Sequence, residues 1–324
     1  MKKRQLGNSE IHVAPLMLGG NVFGWTADEP ASFKILDAFV AAGLDFIDTA
    51  DSYSTWVPGH AGGESETILG NWFKRSGKRN QVVIATKVGS EIPGQGKGLS
   101  HAWIMRQAEA SLKRLQTDHI DLYQSHRDDP NTPIEETLEA YAQLVQQGKV
   151  CVIGCSNFTA ERVQESLAAS RKHAWPRYES LQPHYNLVQR EAYETTLEQL
   201  ALKEKLGVIP YYSLASGFLT GKYRSEADLS KSPRGQAVKK YLNDRGFRIL
   251  QALDQVAEKY QATPAQVALA WLMARSSITA PIASATSVEQ LNDLAAATRL
   301  ELDGASIEQL NRASAYDEPE KRIA

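Results

Sequence analysis

The sequence predicts an α/β fold, a (β/α)8 TIM barrel with an N-terminal β-hairpin and a long loop between strands 7 and 8. Eight short apolar runs, helical patterns between most of them, and no G-x-G-x-x-G after the first run carry that prediction. Runs that are apolar almost throughout suit strands buried on both faces, as in a parallel sheet. An open doubly wound sheet is the weaker alternative, because its usual dinucleotide turn is missing.

In chain order, "KKRQLGNSEIHVAP" (2–15) reads as a hairpin closing the barrel floor. The first four strands are "LMLGG" (16–20), "GLDFID" (43–48), "VVIATKV" (82–88) and "IDLYQSH" (120–126). The other four are "VCVIGCS" (150–156), "SLQPHYN" (180–186), "GVIPYYS" (207–213) and "TAPIAS" (279–284). Between the first and second, "EPASFKILDAFVAAG" places Phe33, Leu36, Phe39 and Val40 on one helical face, with Gly43 as the stop. After the third, "HAWIMRQAEASLKRLQ" repeats the pattern through Ile104, Ala108, Ser111, Leu112 and Leu115, with Ser100 as N-cap. After the fourth, "PIEETLEAYAQLVQQGK" opens on Pro and acids and ends at Gly148. Between the seventh and eighth runs, "YRSEADLSKSPRGQAVKKYLNDRG" reads as a polar, basic loop with little apolar period, followed by "FRILQALDQVAEKY" and "TPAQVALAWLMARS" as helices. Long barrel loops carry function more often than not. The last strand is followed by the helix "SVEQLNDLAAA". No repeat or linker is evident, so residues 1–324 are read as one barrel domain.

The chain is 42% hydrophobic and 23% charged with a net charge of -2, which is ordinary globular composition. That balance, without a basic run, argues against a nucleic-acid partner. No apolar stretch is long enough to span a membrane. "MKKRQLGNSEIHV" has no apolar segment behind its basic residues and is not read as a secretory signal. Cys151 and Cys155, four apart in a strand, would stand about 13 Å from each other. A disulfide needs its Cα atoms within about 7 Å, so both are expected as free thiols in a reducing cytoplasm. Without a paired His cluster they do not suggest zinc, and no metal is expected.

Active sites of such barrels lie at the C-terminal ends of the strands. Polar residues gather there: Asp48 and Tyr53 after the second strand, Lys87 in the third, His126 ending the fourth. Ser156 and Asn157 follow the fifth, Gln182 sits in the sixth and Tyr211 in the seventh. A phenol titrates near pH 10 and gives up its proton sluggishly at neutrality. A neighbouring ammonium should favour the phenolate, and an aspartate beside it should keep that ammonium charged. An imidazole can orient a carbonyl oxygen while the phenol protonates it. Each residue also has a bland reading. Lys87 could be a solvated side chain, Asp48 a turn cap, Tyr53 a rim aromatic, and His126 a surface ring paired with Asp128 or Asp129. Four bland readings at successive strand ends are less economical than one joint functional reading. Asp51, also in "DTADSY", is expected to orient the loop.

From "LMLGG" to "SVEQLNDL" the chain resembles the aldo-keto reductases. "GLDFIDTADSY" is similar to the stretch with that family's catalytic aspartate and tyrosine, here Asp48 and Tyr53; "VIATKVG" supplies the lysine, Lys87; "IDLYQSHRDD" supplies the histidine, His126. "GKVCVIGCSNF" and "GFLTGKY" are similarly close. The resemblance implies an NAD(P)H-dependent carbonyl reductase on a (β/α)8 barrel, with hydride from the nicotinamide and the proton from Tyr53. It also implies that Ser156, Asn157 and Gln182 hold the carboxamide and that Tyr211 stacks on the nicotinamide. Leu214, Ser216, Gly217 and Lys222 would run along the pyrophosphate, where small residues let backbone N–H groups approach and Lys222 adds charge. Further cofactor contacts are implied at Gly20, Asn21, Asp48, Ser213 and Asp293.

Two departures stand out. The family's Ser-Pro-Leu after the stacking tyrosine is "YSL" here. Where several relatives carry Lys or Arg for the 2′-phosphate, this chain has Ser284, Thr286 and Gln290. Arg234 matches an arginine that some relatives send to the cofactor from the long loop. NADPH is therefore the expected cofactor, with NADH left open. Trp25 and Trp56 are expected at the pocket mouth with Tyr53 and His126, facing a small-molecule carbonyl substrate. The loop "STWVPGHAGGESE" is expected to be able to move over the site. The short tail "NRASAYDEPEKRIA" suggests an open pocket for varied aldehydes or ketones. Two other readings stay open: a Schiff-base aldolase or lyase with Lys87 as nucleophile, and a non-catalytic cofactor-binding subunit of a membrane channel. The sequence does not indicate an oligomeric state.

Overall fold

Two short strands, β1 (Arg4–Gln5) and β2 (His12–Val13), pair antiparallel in a computed structural model that describes residues 2–316. Met1 and residues 317–324, the end of the tail on which the open-pocket expectation rests, lie outside the described residues. Eight parallel strands follow: β3 (Met17–Gly19), β4 (Phe46–Asp48), β5 (Val83–Val88), β6 (Ile120–Ser125), β7 (Val150–Ser156), β8 (Tyr178–Gln182), β9 (Gly207–Val208) and β10 (Ile282–Ala283). They hydrogen-bond in the order β10-β3-β4-β5-β6-β7-β8-β9. The two ends of that order meet. Thr279 N–H donates to Val208 O at 2.8 Å and Ile282 N–H to Pro210 O at 2.9 Å, which curls the sheet into a barrel.

All eight expected strands exist, but most are shorter than the apolar runs that announced them. Pro183, Pro210 and Pro281 have no N–H to give to a ladder, and they interrupt the sixth, seventh and eighth runs. Pairing resumes beyond Pro210, where Tyr211 N–H donates to Pro183 O at 3.0 Å. Gly20 leaves the first strand for a short 3-10 turn, Gly20–Val22.

Alternation sorts the side chains into two cores. Met17, Phe46, Ala85, Leu122, Ile209 and Ile282 point into the barrel, where Leu6 and Val13 of the hairpin join them. Leu18, Ile47, Ile84 and Leu181 face outward against the helices. The hairpin thus plugs the floor, as expected. Arg4 fastens it by donating from Nη1 to Ile278 O at 2.9 Å and from Nη2 to Met273 O at 2.8 Å.

The helix Glu29–Ala41 buries Phe33, Leu36 and Phe39, with Val40 partly buried; Gly43 follows it at φ +79. Helix His101–Leu115 begins after Ser100, but that hydroxyl makes no cap bond. Glu136 of the next helix, Ile134–Gln146, accepts from His101 N–H at 2.9 Å instead, so a tertiary contact replaces the expected local cap. The segment expected to be a loop before the last two long helices holds three short turns, Glu226–Lys231, Gly235–Val238 and Lys239–Tyr241. Leu229 and Val238, with Tyr241 partly buried against Phe218, anchor them, too few to print a helical period on the sequence. Helices Asp244–Tyr260 and Pro264–Met273 follow, the second with a capping box between Thr263 and Gln266. Among the described residues no helix is long and apolar enough to cross a membrane.

Candidate active site

In β4 and β5 the interior face runs Phe46, Asp48 and Ala85, Lys87, so the period of two lifts an acid and an amine onto the barrel's upper rim. Lys87 is 0% and Asp48 2% exposed. The Lys87 ammonium donates to Asp48 Oδ2 at 2.8 Å, to Thr49 O at 2.7 Å and to the Tyr53 hydroxyl oxygen at 2.7 Å. It also lies 2.7 Å from Asp48 Oδ1, so a carboxylate, a carbonyl and a hydroxyl are the three partners of its three N–H donors. Tyr53 in turn donates to Asp48 Oδ2 at 2.6 Å. Gln182, interior on β8, donates from Nε2 to Asp48 Oδ1 at 3.0 Å. Both carboxylate oxygens are therefore held.

His126 follows Ser125, whose hydroxyl points outward to Tyr141 and Tyr178 at 2.9 and 2.8 Å, so the next side chain returns to the interior side. Its ring stands 6.0 Å from that of Tyr53 and its Nδ1 is 3.4 Å from Ser52 Oγ. The acids that sequence reasoning offered it are engaged elsewhere. Asp128 accepts from Arg162 Nε at 2.8 Å, and Asp129 accepts from Leu99 N–H and the Thr132 hydroxyl. Burial first, then the charges of Lys87 and Arg127, hold the His126 ring well below the usual imidazole range.

The expected easing of the Tyr53 proton is overturned. Burial raises the phenol well above its ordinary value, and the Asp48 charge and hydrogen bond raise it further. Asp48 stabilises the protonated phenol by accepting from it, while the ammonium at 2.7 Å faces the same oxygen. Burial also lowers Lys87 from its ordinary value, with Asp48 opposing.

These groups face a cavity of about 1410 Å³. Asp48, Tyr53, Trp56, His126, Ser156, Asn157, Gln182 and Tyr211 line one end. Asn157, at φ +57, donates to His126 O at 3.0 Å and to Ser156 Oγ at 3.0 Å, and accepts from Tyr211 OH at 2.8 Å. The Tyr211 ring stacks on His184 with centroids 5.2 Å apart. Ser213, Leu214, Ser216, Gly217 and Lys222 continue the wall. Ala215, Ser216 and Gly217 are successive left-handed residues at φ 50, 57 and 95, a turn in which Ala215 N–H donates to Tyr212 O at 2.7 Å and Gly217 N–H to Leu214 O at 2.9 Å. Asn21, Ser284, Thr286, Gln290 and Asp293 line the remaining stretch. There Ser284 donates to Asn21 Oδ1 at 2.6 Å, Gln290 Oε1 accepts from Thr286 N–H at 2.9 Å, and Asp293 accepts from Thr263 and Gln266.

Three of the singled-out residues stand off the wall. Lys87 lies behind Tyr53. Gly20 packs under the rim, where a Cβ would come within 2.7 Å of Asp48 O. Trp25 sits edge-on to Trp56 at 5.6 Å, with the Arg234 guanidinium 5.1 Å from its ring centroid. Arg234 itself lines the cavity.

The Asp51 side chain is buried. Its carboxylate is 1% exposed and has no hydrogen-bond partner among the described residues. Behind the wall Glu66 accepts from Thr86 at 2.5 Å and from Arg114 at 2.6 Å, and burial followed by the Glu66 charge drives the Asp51 carboxyl well above the carboxylate range. Sequence reasoning missed Thr49, whose carbonyl completes the Lys87 shell, and Ser52, Arg127, Tyr212 and Thr263 on the wall. Thr49 contributes a backbone atom and leaves no sequence signal; Arg127 was legible as the neighbour of His126. Cys151 is exposed and Cys155 buried, both free thiols.

A family model described as "Aldo/keto reductase family" matches residues 15–315. The chain is 37% identical over 319 residues to "Uncharacterized oxidoreductase YrpG" of Bacillus subtilis (strain 168), a match covering 96% of this chain and 95% of that protein. It is 36% identical over 276 residues to "Aldo-keto reductase str7" of Strobilurus tenacellus, covering 84% and 77%. It is 36% identical over 334 residues to "Aldo-keto reductase AFTS1" of Alternaria alternata, covering 92% and 88%.

Proposed function

We propose, from the premise that this chain belongs to the aldo/keto reductase family, that it reversibly reduces small aldehydes or ketones to alcohols with NADPH. What supports this most is the Tyr53 hydroxyl: it stands on the cavity wall while its hidden side is bonded to Lys87 at 2.7 Å and Asp48 at 2.6 Å. The bound nicotinamide would supply hydride to the carbonyl carbon. Tyr53 gives its proton to the carbonyl oxygen, and the Lys87 ammonium stabilises the phenolate left behind. Asp48 keeps that ammonium charged against the cost of burial. His126, a neutral ring, directs an N–H at the same oxygen.

The wall suits a dinucleotide. Ser156, Asn157 and Gln182 offer amide and hydroxyl groups beside Tyr211 for a carboxamide, and the Ser216 hydroxyl with the Lys222 ammonium suits a pyrophosphate. For the 2′-phosphate the supporting residues are Arg234, which has no acidic partner among the described residues, and the hydroxyls of Ser284 and Thr286 with the Gln290 amide. Lys87 as a Schiff-base nucleophile fits poorly, because its three donors are engaged and it has no face on the cavity. Two thiols four residues apart on β7 suit a reducing cytoplasm.

Fluorescence titration with NADPH and NADH, followed by turnover of a simple aldehyde, tests the proposal. Tyr53→Phe should bind NADPH normally while kcat falls by about 10²–10⁴-fold. Full turnover by that variant would sink the assignment. Arg234→Ala should weaken NADPH by about tenfold or more and leave NADH nearly untouched, since it removes a charge-assisted contact that only the phosphate can make. Equal losses for both cofactors would move Arg234 off the 2′-phosphate.

A further inference from the structure

Arg127 follows His126 directly and lines the cavity, and no hydrogen bond, ion pair or ring contact engages it among the described residues. Its nearest acids in sequence are spoken for: Asp128 holds Arg162 at 2.8 Å, while Asp129 accepts from Leu99 N–H at 2.9 Å and Thr132 at 2.7 Å. As the residue next to His126 on the lining shared with Tyr211, it belongs to the reaction end. One other acid on that part of the wall, Glu91, is largely exposed and lies 3.7 Å from Lys97. The same end presents two broad rings to solvent, Trp56 at 46% and Tyr212 at 51% exposure. Large exposed rings lining a concave site commonly mark ligand contact. Tyr212 holds its place at φ +54, a strained region for an aromatic residue, with its carbonyl accepting from Asn186 Nδ2 at 2.8 Å.

We propose that the preferred carbonyl substrates of this site carry an anionic group, a carboxylate on a flat aromatic frame, which Arg127 binds while Trp56 and Tyr212 flank the frame. This rests on the carbonyl-reductase reading above. A guanidinium matches a carboxylate in a two-bond fork, and a para-substituted ring held there by its anion would turn its carbonyl towards Tyr53 and His126.

Two measurements test it together. The first is kcat/KM for 4-carboxybenzaldehyde against 4-methylbenzaldehyde and for 5-oxopentanoate as a non-aromatic anion. The second is equilibrium binding of 4-(hydroxymethyl)benzoate and 4-methylbenzyl alcohol to the NADP-loaded protein, read from quenching of tryptophan fluorescence. The anionic aromatic aldehyde should lead its neutral partner by about five- to tenfold, mainly through KM, and should also lead 5-oxopentanoate. The benzoate should bind more tightly than the neutral alcohol by a similar ratio. Arg127→Gln should bring both ratios near one, Arg127→Lys should restore part of them, and Arg127→Glu should invert them. Ratios that survive Arg127→Gln, or a wild type that favours the neutral compounds, would overturn the proposal. Failure to reduce either aromatic aldehyde would strike the reductase reading, and the binding ratio would then decide the anion site on its own.

Discussion

His126 meets the cavity as a ring that burial, Lys87 and Arg127 keep neutral. An unfolded histidine titrates near pH 6.5. Because the folded value lies below that, the unfolded chain binds the extra proton first as pH falls. The stability linked to His126 is therefore complete above about pH 6.5 and is lost as pH drops towards the folded value. His184, lowered to about 4 by burial and Lys240, adds a loss of the same sign. Urea unfolding of wild type and His126→Asn between about pH 7.5 and 5 separates the two. The variant should show a flatter decline, and parallel curves would mean the ring titrates ordinarily. Residues of this kind were readable from the chain because strand alternation carries Asp48 and Lys87 to one rim. The proton affinity of Tyr53 was not. A charge list names the ammonium and the acid alike, and only geometry shows that the phenol donates to Asp48.

Between elements, Gly70 decides how closely two helices approach. It lies within the helix Glu64–Ser76, where Ala would ordinarily stabilise by about 0.8–1.0 kcal/mol over Gly. A Cβ here would overlap the backbone carbonyl oxygen of Arg114 and the Cα of Leu115, near the end of helix His101–Leu115. Backbone cannot swing aside as a side chain can, and overpacking typically costs about 1–3 kcal/mol. The clash should win. Gly70→Ala should lower the urea midpoint with an unchanged m-value, and a gain in stability would show that the helices can part freely. Helix positions and many caps were legible from local signals such as Thr263 with Gln266. The Glu136 cap on His101 and the Gly70 contact join residues far apart in the chain, so no local pattern announces them.

Across the molecule, the hairpin and the barrel share one interior. Leu6 and Val13 are both 0% exposed and pack with Met17, Phe46 and Ile209 beneath the polar rim. Leu6→Ala should cost about 2–5 kcal/mol, since a closed barrel floor cannot collapse to fill the gap. Thermal unfolding should show a drop of several degrees with NADPH affinity kept. A loss below about 1 kcal/mol would mean the hairpin is a loose cover. The sequence by itself determined the order of strands and helices, the floor hairpin, and the polar set at the strand ends, because periods of two and of about 3.6 and the turn residues are local properties of a chain. Tertiary structure alone decided that the sheet closes, that Lys87 is buried behind Tyr53 with all three donors engaged, that the Asp51 carboxylate is buried, and that Arg127 has no acidic partner among the described residues. Each of these depends on which distant groups share a few ångströms, and packing sets that distance.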